Sequence, residues 1–473
     1  MKSRIHPLYL LIFLTIPFVA WGKLQILPTF DDWTTLSAPN FDTDWGRYLF
    51  SNGSFWRPFD ALFGFFYAHT NPQLFPIVNH ICILLGHLFN TLLVWLLCRE
   101  LAFNRQSQAI ATTFFYLSPC VWATVWACDS LNQTYSQLWG LLAVLVYLKM
   151  KSPLKYFLWF ILVFLAALAK ENGLAWAIVP PILAFGFRRI SRRTLRNHLL
   201  YGFSIAICYA VIRLSIPHYG PLNPDYQTFV LSRKVKEIAM LFINTCMTAD
   251  LISLIHAPNR NLWIGGATIL LSLPFFYMVF NRQARLYATR PMLSLLLSAF
   301  IVVFPNLLLS LSMMNTYAPL GMAALIIGYL INAYSHTRWV TIAFVLYLLS
   351  ALFIVAHTWY HSWKSGRLGQ QLATEIIQKT RKPVEKVYFL IVEDDYPKLS
   401  SFCVIPSDAL GWGWAVAHQN NYRWPETIKD TTIARTTDAA AIDRLTRKAF
   451  SQGYDCVWKI DHTDISVTLN HQR

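Results

Sequence analysis

Two adjacent carboxylates, Asp31 and Asp32 in the run FDDW, stand just beyond the first long apolar stretch of the chain. A carboxylate partly shielded from water has a raised pKa, which suits it to take a proton from a hydroxyl. Adjacent carboxylates can also divide the work, one acting as base and the other holding the acceptor or a cation. The same residues would otherwise cap a following helix, a position that favours Asp. Opposite charge comes from Arg57 in WRPF and Lys170 in AKENG. Arginine grips a phosphate with a bidentate fork, lysine as a point charge. Lys170 could instead pair with its neighbour Glu171 or reach to a membrane interface. Asp129, expected at the outer end of a span, joins these residues or else caps the helix that begins near Asn132.

Other chemistry-bearing residues point to packing. His80 and His87 are two helical turns apart and Asn90 follows three residues later, so all three belong to one apolar segment. Metal binding would prefer i, i+4 spacing with a further ligand nearby, so interhelical hydrogen bonding is the favoured reading. No GxxxxGK[ST] and no GxGxxG occurs, and direct use of a nucleotide is not expected. Six of the eight cysteines lie in or near apolar segments. Cys403 and Cys456 fall in strand-like runs near the end, where they either pair in an oxidising compartment or stay buried thiols. The expected cofactor set is empty, with a divalent cation left open.

These residues have to be positioned by a membrane protein. The 473 residues are 55% hydrophobic and only 14% charged, against about 25% charge in soluble domains. The net charge of +16 is not a nucleic-acid signal, because the bases lie in short clusters between apolar runs, without a continuous basic stripe. A hydrocarbon core needs roughly 20 apolar residues per helix. Eleven spans are expected: 7–27, 74–97, 107–127, 132–149, 155–169, 173–187, 198–216, 262–280, 291–311, 317–334 and 339–357. The first lacks a small-residue cleavage site and reads as a retained helix.

Basic clusters orient the spans through the positive-inside bias of short loops. Residues 1–363 hold 25 Lys+Arg and 11 Asp+Glu. With the N-terminus cytoplasmic, sixteen of those bases and a single acid, Glu100, fall inside. The other ten acids fall at outer span ends or in outer loops, beside the proposed chemistry. The long first outer loop, 28–73, is rich in Asp and aromatics and reads as short helices along the membrane surface. The apolar stretch 236–255 would invert every later loop if inserted, so it reads as interfacial or re-entrant. Residues 364–473 change character, with amphipathic helix patterns at 369–380 and 439–452 and strand-like runs at 387–392, 401–405 and 456–460. The expected architecture is therefore an all-α polytopic membrane domain, 1–363, followed by a small extracytoplasmic α/β domain, 364–473.

The order of motifs resembles the membrane domain of GT-C glycosyltransferases, in their protein O-mannosyltransferase-like branch and its bacterial relatives. The acidic pair is followed by Asn40, a WRP element at Trp56–Pro58 and NHICILLGHLFNTLLVW at 79–95. SPCVWATVWACDSL at 118–131, AKENG at 169–173 and NTYAPLGMAALIIGYL at 315–330 come in the expected order, and the likeness is strongest over 28–95. The resemblance implies a polyprenyl-phosphate-linked sugar donor, an acceptor hydroxyl on a glycan, lipid or protein at the outer face, and inversion at the anomeric carbon. It gives the base role to Asp31 or Asp32 and phosphate-side roles to Arg57 and Lys170, and it brings Tyr317, in the Tyr317-Ala318-Pro319 run similar to that group's Tyr-x-x-Pro span entrance, to the substrate. One departure stands out: Asn315–Thr316 precede Tyr317 where that family often has an Arg. A multi-pass protein of a bacterial inner membrane is expected, in contact with lipid and not with nucleic acid. The competing readings are a transporter or lipid flippase, disfavoured because the acids sit at the outer edge without an inverted repeat, and a catalytically silent relative.

Overall fold

A computed structural model describes residues 6–28, 32, 49–52, 55–68, 71, 74–219, 235, 238, 241, 245, 259–281, 289–305, 313–332, 338–379, 384–392, 414–421, 423, 430–436, 438–461 and 464–470. Asp31, Asn40, Cys403, the run 401–405 and nearly all of 236–255 lie outside the described residues.

In nine of the eleven expected spans the described residues fall mainly on one helix. These are α1 (Pro7–Leu24), α3 (Phe75–Glu100), α6 (Leu131–Lys149), α7 (Leu154–Ala169), α9 (Arg192–Ser215), α10 (Asn259–Asn281), α11 (Arg290–Val303), α12 (Tyr317–Asn332) and α13 (Arg338–Lys379). Between α1 and α3 lies the short surface helix α2 (Pro58–Ala68). Proline occupies the first turn of α1, α3 and α11, where its missing N–H costs nothing. Among the described residues four helices, α1, α3, α9 and α13, are individually long and apolar enough to cross a membrane.

The remaining two spans are broken, against expectation. The stretch 107–127 divides into α4 (Arg105–Leu117) and α5 (Pro119–Trp126), because Pro119 cannot continue the hydrogen-bond ladder of the preceding helix. The stretch 173–187 divides into a 3-10 segment, Glu171–Ala177, and α8 (Val179–Gly186), with Pro180 and Pro181 opening the second piece. Seven 3-10 residues and eight α residues rise about 26 Å together, close to one hydrocarbon thickness, whereas α8 alone rises about 12 Å.

Contacts sort the bundle into two ends. At one end Arg189 pairs with Glu100, Asn104 bonds Asn332 and Gln106 bonds Thr341. At the other, Arg57 pairs with Glu171, Thr316 bonds the Cys120 carbonyl, and the two-residue strands β1 (Ser51–Asn52) and β2 (His218–Tyr219) lie parallel. Residues that the charge pattern assigns to one side of the bundle are thus neighbours in space. Between the ends runs one apolar core in which Trp122, Trp159, Trp176, Tyr317 and Tyr347 are fully buried. Its outside is apolar too: Leu200, Phe203, Ile207, Val211 and Leu214 form an exposed stripe at helical spacing along α9. A stripe of that size in water would be an association hazard, and in a bilayer it is the ordinary lipid-facing surface.

The expected boundary at 363 falls inside α13, which runs for 42 residues without a break. Trp359 donates to the Gly22 carbonyl at 2.8 Å and its ring lies 6.0 Å from that of Trp21. With Tyr360 and Trp363 nearby, this aromatic group has the composition of an interfacial belt. Beyond it, Leu372, Ala373 and Ile376 of α13 pack on one face of a four-stranded sheet. The strands are β3 (Lys386–Ile391), β4 (Asp430–Arg435), β5 (Cys456–Asp461) and β6 (Asp464–Leu469), in order β4-β3-β5-β6. β3 is parallel to both neighbours, and β6 is antiparallel to β5. Strand alternation sends Val387, Phe389, Cys456 and Trp458 towards α13 and α14 (Trp414–Gln419), and Tyr388, Leu390 and Val457 towards α15 (Ala439–Ser451). Cys456 is a free buried thiol that accepts from Trp458 Nε1 at 3.0 Å.

Candidate active site

The turn between α5 and α6 is the scaffold of the site. Asp32 reaches it from the far end of the first loop, and its Oδ1 accepts from the backbone N–H of Cys128 at 2.6 Å and of Asp129 at 2.8 Å. Asp32 thus holds the turn that leads into α6, distant in sequence. A carboxylate placed there is also favoured by the positive end of a 19-residue helix dipole. Lys23, in the last turn of α1 and fully buried, donates to the Ala127 carbonyl at 2.9 Å. Asp32 and Asp129 both lie within electrostatic reach of that amine. His80 bonds the Ile26 carbonyl through Nε2 at 2.8 Å, and its Nδ1 lies 3.5 Å from the Cys128 thiol. The first loop, α1, α3 and the α5–α6 turn are thereby tied at one point.

A second group adjoins the first. Arg57, at the start of α2, forks onto Glu171: Nε to Oε1 at 3.2 Å and Nη2 to Oε2 at 3.1 Å. Its guanidinium also covers the Phe55 ring at 4.2 Å. Glu171 is brought there by a tight corner, since a Cβ on Gly173 would lie 2.2 Å from the Ala166 carbonyl carbon and only glycine fits. Asp60, one turn after Arg57, accepts from Asn132 Nδ2 at 3.5 Å. Burial pushes the Asp60 carboxyl up to about 6, against the opposing pull of Arg57. Lys170 is only 8% exposed and its amine, among the described residues, has neither a hydrogen-bond nor an ion-pair partner. Burial, with Arg57 nearby, lowers it to about 8, while Glu171, Asp129 and Asp60 pull the other way. Asp129 is coupled to both Lys23 and Lys170, so the two groups form one charged cluster.

Asp32, Asp129, Arg57, Lys170 and Glu171, five of the residues singled out in the sequence, are therefore brought together, and Asp31 lies outside the described residues. Tyr317 is placed elsewhere. It is fully buried, its hydroxyl accepts from Asn90 Nδ2 at 3.0 Å, and it lies 3.1 Å from His87 Nδ1. Asn90 also donates to the Thr134 carbonyl, so His87 and Asn90 have the interhelical role their spacing indicated. Asn315 and Thr316 are buried as well. Lys23, Asp60 and Asn132 were missed as site residues. A lone base closing an apolar helix and an acid three residues after Arg57 were the available signals. Among the described residues no group of three or more His, Cys, Asp or Glu side chains is arranged to hold a metal.

The cluster contains what transfer of a group from a phosphate to a hydroxyl requires: carboxylates in different environments and cations that can face a departing anion. No known family profile matches the chain, and no curated protein matches it in sequence. Among solved structures it is similar to the apo oligosaccharyltransferase of Archaeoglobus fulgidus, at 13% identity and a TM-score of 0.44, covering 86% of this chain. The chain spans only 64% of that protein's length. It is also similar to ArnT from Cupriavidus metallidurans bound to undecaprenyl phosphate, at 13% identity and a TM-score of 0.44, with 98% of each chain covered. Likeness at that score carries no statement about chemistry.

Proposed function

We propose that the chain is a membrane glycosyltransferase of GT-C architecture that moves a sugar from a polyprenyl-phosphate-linked donor to an acceptor hydroxyl on the extracytoplasmic face. The observation that carries this reading is the charged cluster in which Asp32, Asp60 and Asp129 lie near Arg57 and the amine of Lys170, which has no hydrogen-bond or ion-pair partner among the described residues. The acceptor oxygen attacks the anomeric carbon while Asp32 takes its proton. The bond from that carbon to the phosphate oxygen breaks on the opposite side, which inverts the centre. The polyprenyl phosphate leaves as an anion whose charge is offset by Lys170 and Arg57. Asp60 is the second candidate for the base, because its raised pKa of about 6 keeps it close to the working range of a proton acceptor.

The fold is read with its charged end outside a bacterial inner membrane, together with the sheet that follows α13. A transporter would carry ionisable groups near the midplane, whereas the described acids of the membrane part other than Glu100 gather at one end of the bundle. The test is to incubate purified protein with a panel of polyprenyl-phosphate sugars and to follow hydrolysis or transfer. Turnover of one donor, abolished in Asp32→Asn or Asp31→Asn, supports the assignment. Full activity in both variants removes the base from this pair, and turnover of none of the donors removes the enzyme class.

A further inference from the structure

A cavity of about 270 Å³ lies beside the charged cluster, between the membrane bundle and the unit built on β3–β6. Its bundle wall includes Leu24 at the end of α1 with Ile77 and His80 at the start of α3, and its other wall includes Gln370, His418 and Gln419. The volume is at the lower end of small-ligand pockets, which run to about 300–1,000 Å³, and suits one headgroup with a short length of chain.

Three features define what would fit. First, Leu24 and Ile77 are 40% and 42% exposed, and Ile77 continues into the exposed stripe Leu74, Ile81 and Leu85 along α3. The cavity therefore opens onto the surface that faces lipid. Second, among the described residues no Lys, Arg, Asp or Glu lines it. A phosphate or ammonium head would be desolvated there without a counter-charge, which is unfavourable. Of the polar groups on its walls, His80 already bonds the Ile26 carbonyl and Cys128 and Gln419 donates to Thr374, so the carboxamide of Gln370 and the carboxamide oxygen of Gln419 are what meets uncharged hydroxyls as donor and acceptor. Third, His80 is a shared wall. Its ring lies 3.5 Å from the Cys128 thiol, and the N–H of the same Cys128 holds Asp32.

We infer that this cavity binds the acceptor, and that the acceptor is an amphiphile of the outer leaflet with an uncharged, hydroxyl-bearing headgroup. Its apolar chain leaves between Leu24 and Ile77, its head lies against Gln370, His418 and Gln419, and a hydroxyl reaches past His80 towards Asp32. The assignment rests on the glycosyltransferase reading for the word acceptor, but the binding site itself does not. The unit after α13 thereby supplies half of the acceptor wall.

The experiment uses full-length protein in phosphatidylcholine nanodiscs and a diazirine-bearing alkyl maltoside, with labelled peptides mapped by mass spectrometry. Label is expected on 24–28, 74–80 and 414–419, and on the α9 stripe as a reference. Gln370→Trp, at an exposed position on α13, is expected to lower cavity label at least fivefold while the α9 label is unchanged. Ile77→Trp, lipid-exposed on the opposite wall, gives the same readout should the first variant fail to fold. Unlabelled alkyl maltoside is expected to compete and dodecyl phosphate is not. Unchanged cavity label in the folded variants, absence of label there, or better competition by dodecyl phosphate each overturns the proposal. The labelling needs no turnover, so its outcome is separate from that of the sugar-transfer assay.

Discussion

Asp32 has two separable roles, and two substitutions divide them. Its Oδ1 takes the N–H groups of Cys128 and Asp129, and it is only 4% exposed. Asp32→Asn keeps an oxygen of the same shape for both N–H groups and removes the charge and the basicity. Lys23 then still has Asp129 as a neighbouring carboxylate. Asp32→Ala removes the oxygen, leaving two backbone donors without their partner at about 1–3 kcal/mol each, or about 2–6 kcal/mol in all. The Asn variant is therefore expected to unfold in detergent within a few degrees of the wild type, and the Ala variant clearly lower. Both should lose sugar transfer by about 10²- to 10⁴-fold, the usual contribution of a general base. Transfer is followed with a radiolabelled polyprenyl-phosphate sugar, stability by thermal unfolding in the same detergent. An Asn variant as unstable as the Ala variant would refute the hydrogen-bond assignment. An Asn variant within tenfold of wild-type transfer would refute the base.

Four further outcomes are expected. Lys170→Met should raise the donor KM by about ten- to a hundredfold, the worth of one charge-assisted hydrogen bond of about 1.5–3 kcal/mol, with little change in unfolding temperature; an unchanged KM would take Lys170 off the phosphate. Arg57→Lys keeps the charge but loses the two-point fork on Glu171, so donor affinity should fall while stability changes by no more than about 1 kcal/mol for this partly exposed pair. Lys23→Met leaves the Ala127 carbonyl with only the Ser130 hydroxyl as side-chain donor and removes a buried cation beside Asp32 and Asp129, a loss of about 3–5 kcal/mol, and adding Asp129→Asn should restore part of the unfolding temperature. Asp60 titrates at about 6 when folded against 3.8 ordinarily, so the folded state holds the proton more tightly. Its contribution is present below about 3.8 and lost as pH rises to about 6. The stability of wild type relative to Asp60→Asn should therefore fall over that window and stay level above it, and a difference that rises with pH would contradict the burial of Asp60.

Much of this arrangement was legible because charge in a membrane chain is scarce and each instance has a cause. Asp32, Asp129, Arg57, Lys170 and Glu171 could be grouped from the sides on which loops fall, without knowing any contact. Periodicity also marked β3, β5 and α15, whose buried faces alternate cleanly. Contacts between distant turns were illegible. Nothing local says that Asp32 bonds a turn 96 residues later, or that Lys23 reaches the carbonyl preceding that turn. Tyr317 was misleading because a tyrosine at a span entrance fits a substrate contact and a buried interhelical bond equally well, and only its neighbours His87 and Asn90 decide. The strands β4 (DTTIAR) and β6 (DISVTL) are sheet edges with many polar side chains, so they lack the apolar run that reveals an inner strand.

The helix α13 carries one more consequence. Its 42 residues amount to about 63 Å of helix, roughly twice the hydrocarbon thickness. The sixteen residues after Trp363 project about 24 Å beyond the aromatic belt. The sheet is thus mounted on a lever with its fulcrum in the lipid, not on a tether. A tilt of about 10°, well within the range that helices adopt to match bilayer thickness, would carry the far end about 4 Å sideways. Gln370 rides on that arm while Leu24 and Ile77 stay with the bundle, so the thickness of the surrounding membrane becomes a setting for how far apart the two walls stand.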